Sequence, residues 1–150
     1  MKLSEHFSLY EFERSYIAER LGIDNSVPES LLDTLLYTAN MLEVVRSDVL
    51  HGVIDISSGY RCLELNRALK SKDTSDHVKG LAVDFTCPTF GSPLEVCTAI
   101  VASDVDYQQV IYEFGRWCHL SFPVPGGVGK RQVLTIDRRG TRAGLPIQEE

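Results

Sequence analysis

Apolar positions recur along this chain with two different periods, and the change of period divides it. Leu31, Leu32, Leu35, Leu36, Ala39, Leu42, Val45 and Val49 form a broad stripe at helical spacing, with Pro28 suited to the first helical position ahead of it. The stripe predicts one long helix, to about Leu50, as the main wall of a core. Before it, Ser8-Leu9-Tyr10-Glu11 reads as a capping box opening a helix that carries Phe12, Ile17 and Leu21 until Gly22 ends it. After it the period falls to two. Residues 53–57 read as a strand running into Ser58-Gly59-Tyr60-Arg61, where Gly59 permits a turn that a bulkier residue would resist. A helix over 62–70 places Leu65 and Leu69 on one face, and a polar loop over 71–76 leads to His77. From Gly80 to Phe85 the chain alternates, with Gly80, Ala82 and Asp84 on one face and Leu81, Val83 and Phe85 on the other.

Ser92-Pro93-Leu94-Glu95 is a second capping box, opening a helix to about Ala102. A strand within 105–114 reaches Glu113, a turn follows at Gly115-Arg116, and residues 117–122 return as its hairpin partner. Residues 131–136 add one more strand. Helices come first and strands mostly later, with hairpin connections, so the expected class is α+β, one domain over 1–150 with an antiparallel sheet flanked by helices.

Composition narrows the function classes. The 150 residues are 43% hydrophobic and 24% charged, with a net charge of −6. That balance argues against a nucleic-acid surface, which needs clustered Lys and Arg. The basic run over 137–142 is short and reads as a solvated turn. Gly126-Gly127, between Pro125 and Val128, lacks the pattern of a phosphate cradle and reads as a loop. No apolar run is long enough to span a membrane, and Lys2, Ser4, Glu5 and His6 are unlike a secretory signal. The expectation is a chain made and folded in cytoplasm. Cys62, Cys87, Cys97 and Cys118 form no C-x-x-C pair and read as mostly buried thiols.

The chemistry concentrates in two stretches. His77 in a loop and Asp84 on the strand it enters come close in space, and the small residues beside Asp84 leave room for an ion and a substrate. In the later strand Cys118, Leu120 and Phe122 face a core, while His119 and Ser121 face Asp84. Two His and one carboxylate leave a fourth position open for water, the donor set of a catalytic zinc rather than a structural one. Such a zinc polarises a peptide carbonyl and brings the pKa of its water to about 7, which suits amide hydrolysis. Arg61, at a strand end, is a candidate for holding a substrate carboxylate or a developing oxyanion. Its alternative is a surface salt bridge.

Ser75, His77, Gly80, Ala82 and Asp84 spell S-x-H-x-x-G-x-A-x-D, which follows Ser58-Gly59-Tyr60-Arg61 and precedes Trp117-Cys118-His119-Leu120-Ser121. In these motifs the chain resembles the zinc D-Ala-D-Ala carboxypeptidase family, closest to its short phage and prophage branch, which includes L-alanyl-D-glutamate endolysins. The resemblance runs from Leu3 to Ser121 and takes in Asn66. It implies the fold shared with Hedgehog signalling domains, a zinc cofactor, and peptidoglycan stem peptides as substrate. It also suggests that Ser75 hydrogen-bonds substrate, though the same hydroxyl can simply cap its loop. A non-catalytic zinc-binding wall or virion module is the second reading.

Two departures stand out. Relatives often carry Gly-Gly where this chain has Lys70-Ser71. Many also place a catalytic Glu three residues before the last His, a position held here by Arg116, whereas Glu113 lies six before. A three-residue hairpin loop over 115–117 would set Glu113 opposite His119 on the same face. A two-residue loop would pair it with Cys118 and turn it away. Burying a carboxylate beside Cys118 is costly, so Glu113 is expected on the site face as general base.

Overall fold

The computed structural model describes residues 1–146. Six strands make one sheet in the order β1-β2-β4-β3-β5-β6, with β1 Asp55–Ser58, β2 Ala82–Thr86, β3 Gln109–Glu113, β4 Trp117–Ser121, β5 Gln132–Asp137 and β6 Gly140–Ala143. The class is α+β, but the sheet is mixed rather than antiparallel. β5 runs parallel to β3, with Gln109 beside Gln132 and Glu113 beside Ile136. The connection is the reason. After β4 the chain returns to the start of β3, where the Arg131 and Gln132 amides bond the Tyr107 and Gln108 carbonyls. A strand begun at that end leaves in the direction of β3.

The basic run is more than a solvated turn. Arg138 and Arg139 do turn the chain, but Gly140–Ala143 then pairs back on β5 as an edge strand, and Arg142 clasps Asp137 at 2.7 and 3.0 Å. All four residues of β6 are exposed, so no alternation marks it.

The first helix also differs from expectation. Ser8 does form the capping box, but helix α1 (Leu9–Glu13) stops at Arg14, whose backbone is extended, and Ser15 caps a separate α2 (Tyr16–Leu21) that ends on left-handed Gly22. Tertiary contacts win over the helical stripe here: Arg14 donates to the Ile56 carbonyl at 2.6 Å and Asn25 to that of Glu13 at 2.8 Å. Ile17 and Leu21 are left exposed. Pro28 sits one position outside its expected place, ahead of a 3-10 turn (Glu29–Leu31) that feeds α3 (Leu32–Val44), and a π-helical stretch (Val45–Leu50) completes the long helix. The shorter helices α4 (Leu63–Ala68) and α5 (Pro93–Val101) follow, α5 with its Ser92 capping box. Among the described residues no helix is long and apolar enough to cross a membrane.

Leu35, Ala39, Leu42 and Val45 of the long helix and Val96, Cys97 and Ile100 of α5 bury one sheet face, carrying Val83, Phe85, Val110, Cys118 and Leu120. Strand alternation therefore puts Ala82, Asp84, Ile111, Glu113, His119 and Ser121 on the other face.

Candidate metal centre

His77 is held by a tight loop before β2. The Ser75 hydroxyl accepts from the His77 amide at 3.2 Å, the Asp76 carbonyl accepts from the Leu81 amide at 3.0 Å, and Gly80 takes a left-handed φ of 73°. Thr38 of α3, fully buried, donates to the Gly80 carbonyl at 2.7 Å and ties this loop to the core helix. On the other side, the Arg61 amide donates to the His77 carbonyl and the His77 ring nitrogen Nδ1 bonds the Gly59 carbonyl at 2.6 Å. Gly59 is needed for a reason different from the one read in the sequence. Its φ is not left-handed, but a Cβ there would stand 2.8 Å from Cα and 2.9 Å from the carbonyl oxygen of Phe12. What demands glycine is the close approach of α1.

Asp84 on β2 pairs directly with His119 on β4. Its Oδ1 lies 3.3 Å from Nε2 of His77 and 3.0 Å from Nδ1 of His119, while Oδ2 takes a 3.2 Å bond from Arg61. All three site residues are buried, and one ligand atom from each falls within 4.8 Å of the others. Burial disfavours the Asp84 charge, but the neighbouring His77 and the hydrogen bond from His119 outweigh it and hold this carboxyl well below the usual range. Burial pushes His77 down, against the pull of Asp84. For His119 burial acts the same way but loses to its bond with Asp84, so its pKa rises.

These groups fit a cation. The Gly59 carbonyl can only accept, so Nδ1 of His77 carries the proton and Nε2 of the neutral ring is a bare lone pair. That nitrogen is buried without a hydrogen-bond partner and faces a carboxylate oxygen. Two acceptors at this separation repel unless a positive charge lies between them. A tetrahedral ion with bonds of about 2.0–2.1 Å sets its ligand atoms roughly 3.4 Å apart, close to the 3.3 Å between Nε2 of His77 and Oδ1 of Asp84. His77, Asp84 and His119 would hold zinc as two nitrogens and one oxygen. The four cysteines stay outside the group. Cys87, Cys97 and Cys118 are in the core, and burial raises the Cys118 thiol well above its ordinary value.

Glu113 faces the site, but through a register other than the expected one. It pairs with Trp117, and Ile111 is the residue opposite His119. The loop is three residues long but consists of Phe114, Gly115 and Arg116, because Phe114 and Gly115 both adopt left-handed φ values, 54° and 67°, and close the turn one residue early. A slip of two residues preserves the face. Glu113 thus lies diagonal to His119, with Oε1 3.7 Å from its Nδ1. Burial and then the Asp84 charge push its pKa up, partly opposed by His119 and Arg61.

Arg61 is not a surface salt bridge. Its side chain is 15% exposed and spans Ser58 Oγ and Asp84 Oδ2, both at 3.2 Å, so in this structure it orients a proposed ligand. Ser75 caps the loop with its oxygen, which leaves its hydroxyl proton free for a ligand in the cleft it lines. Sequence reading passed over Asn25 and gave Asn66 no role beyond its place in the resemblance. Buried Asn25 bonds the carbonyls of Glu13 and Tyr60 and the amide of Cys62, fixing the bend that delivers Arg61. Asn66, also buried, donates to the Lys72 carbonyl at 2.8 Å and steadies the loop toward His77. For Asn25 the one signal was a polar residue beside a turn.

No curated protein matches this chain. A family model described as Peptidase M15 matches residues 5–121, a span that holds Arg61, Ser75, His77, Asp84, Glu113 and His119 and stops before β5. Matched over most of its length, the chain belongs to the Peptidase M15 family, the zinc peptidases of D-Ala-D-Ala carboxypeptidase type.

Proposed function

We propose that this protein is a zinc-dependent peptidase that hydrolyses an amide bond in the stem peptides of bacterial peptidoglycan, either releasing terminal D-Ala or cutting between L-Ala and D-Glu. The observation that carries the reading is the buried convergence of His77, Asp84 and His119 with Glu113 beside them on the wall of an open cleft. Zinc held there would supply Lewis acidity to the carbonyl and acidify a water molecule. Glu113 takes a proton as water adds to the carbonyl carbon and returns it to the leaving nitrogen as the C–N bond breaks. Its raised pKa suits both halves of that task, since a stronger base than an ordinary carboxylate still gives up the proton to an amine. Arg61 aims Asp84 through its contact with Oδ2, and Ser75 offers its hydroxyl to the substrate backbone. A phage or prophage origin fits the resemblance of the motifs, with synthesis in the cytoplasm and action on the wall after release.

Digestion of purified muropeptides followed by mass spectrometry tests this. New amino termini on D-Glu identify the endopeptidase, and free D-Ala the carboxypeptidase. Intact muropeptides from every wall type, with zinc bound, would sink the proposal.

A further inference from the structure

The cleft beside the metal centre has a volume of about 540 Å³ and a cationic rim, in a chain whose net charge is −6. Arg61, Lys72, Lys79 and Lys130 line it, against the carboxylates of Asp76 and Glu113. Two of these cations are already engaged. Arg61 is committed to Asp84 at 3.2 Å, and Lys79 lies 3.7 Å from Asp76. Lys72 and Lys130 have no ion pair among the described residues, and both are exposed. Each is nonetheless fixed at its backbone. The buried Asn66 side chain holds the Lys72 carbonyl, and the Lys130 amide donates to Gln108 Oε1 at 3.2 Å. Lys72 lies in the loop after α4 and Lys130 two residues before β5, and both side chains line the same cleft. Between them the site face offers Ile111 and Ile136 as a floor, with Gln109 and Gln132 joined side chain to side chain at 2.8 Å.

We propose that Lys72 and Lys130 form a carboxylate-binding subsite that selects acidic peptides, so that a free carboxylate near the cut bond is recognised by these lysines and not by Arg61. The proposal rests on the peptidase reading above and names its substrate chemistry: a peptide with an acidic residue flanking the scissile amide, as at L-Ala-D-Glu, in preference to a neutral one. Lys130 lies beyond the part of the chain that the family model matches, so this specificity would belong to the β5 extension of this protein.

The test uses zinc-loaded full-length protein, a synthetic peptide containing L-Ala-D-Glu with free carboxylates, and the same peptide with every carboxyl amidated. The wild type should prefer the acidic peptide. In the double variant Lys72→Gln, Lys130→Gln the ratio of kcat/KM for acidic over amidated peptide should fall about fivefold, from two exposed ion pairs of modest strength, through KM rather than kcat. An unchanged ratio with cleavage intact would overturn the subsite and leave the peptidase standing. If the wild type cleaves neither peptide, the L-Ala-D-Glu branch of the peptidase reading fails while release of D-Ala is still decided by the muropeptide digestion, and calorimetric titration of the acidic peptide decides the subsite alone. Weaker binding to the double variant than to the wild type then supports it, and equal binding or none to either overturns it.

Discussion

Nδ1 of His77 donates a 2.6 Å hydrogen bond to the carbonyl oxygen of Gly59. The pair links the two halves of the site, because it sets the ring tautomer and aims Nε2 at Asp84, and Gly59 itself is pinned under the backbone of Phe12. Gly59→Ala should therefore act twice. The new Cβ cannot fit 2.8 Å from a backbone carbon, so thermal unfolding should show a loss of about 1–3 kcal/mol. Zinc titration should show affinity reduced about tenfold or more as the carbonyl shifts away from His77. Unchanged affinity in a destabilised variant would mean that the hydrogen bond does not govern the ligand.

Metal content is the most direct check on the centre. Purified protein should carry about one zinc, from three protein ligands and an open position. His77→Ala and Asp84→Ala should each abolish stoichiometric binding. Conservative replacement of Cys62, Cys87, Cys97 and Cys118 should leave it, since none of these thiols belongs to the buried group. Elemental analysis that found full zinc in both ligand variants would remove the site assignment.

Arg61 separates two roles that sequence motifs run together. Its contact with Asp84 Oδ2 predicts that Arg61→Met lowers zinc affinity about 10- to 100-fold, the usual range for a group that orients a ligand. Were Arg61 reserved for substrate, the same variant would keep its zinc and change only KM. Zinc competition against a chelator, run beside steady-state kinetics, tells the two apart.

Much of this arrangement was legible because strand alternation and ligand spacing are local properties. Ala82, Asp84, His119 and Ser121 fall on one face because the side-chain period in a strand is two, whatever the rest of the fold does. The face of Glu113 survived an error of two residues in the hairpin for the same reason. What failed was non-local. The break at Arg14 depends on the Ile56 carbonyl, 42 positions away in sequence, and the parallel course of β5 depends on where the returning loop meets β3. No window of the sequence contains both partners of either contact. β6 stayed hidden because Gly140, Thr141, Arg142 and Ala143 are all exposed and have no buried face to announce.

Lys70 explains one departure from the resemblance. It follows α4 in a left-handed conformation, φ 59°, and is exposed, so its side chain has no compensating burial. Glycine takes that conformation without the Cβ penalty. Lys70→Gly should raise stability by about 0.5–1 kcal/mol, net of the extra freedom glycine gives the unfolded chain. Denaturant melts of the two proteins measure the difference, and a lower midpoint for the glycine variant would contradict it.

Glu113 carries the prediction that bears most on chemistry. Glu113→Gln keeps the shape and removes the base, and should cut hydrolysis about 10²- to 10⁴-fold while zinc stays bound. The pH dependence gives a second reading of the same residue. A general base works deprotonated, so kcat/KM should fall as pH drops through the Glu113 pKa. Burial and the Asp84 charge raise that pKa, which places the acid limb above the roughly 4.3 of an ordinary glutamate. His119 and Arg61 oppose the rise, and both would still be present in the Gln variant. The Gln amide does not titrate, so whatever residual activity that variant retains should lose the limb altogether, rather than merely show it shifted. A residual rate with the wild-type acid limb intact would mean that another group takes the proton, and Asp76, which lines the same cleft, would be the next carboxylate to replace.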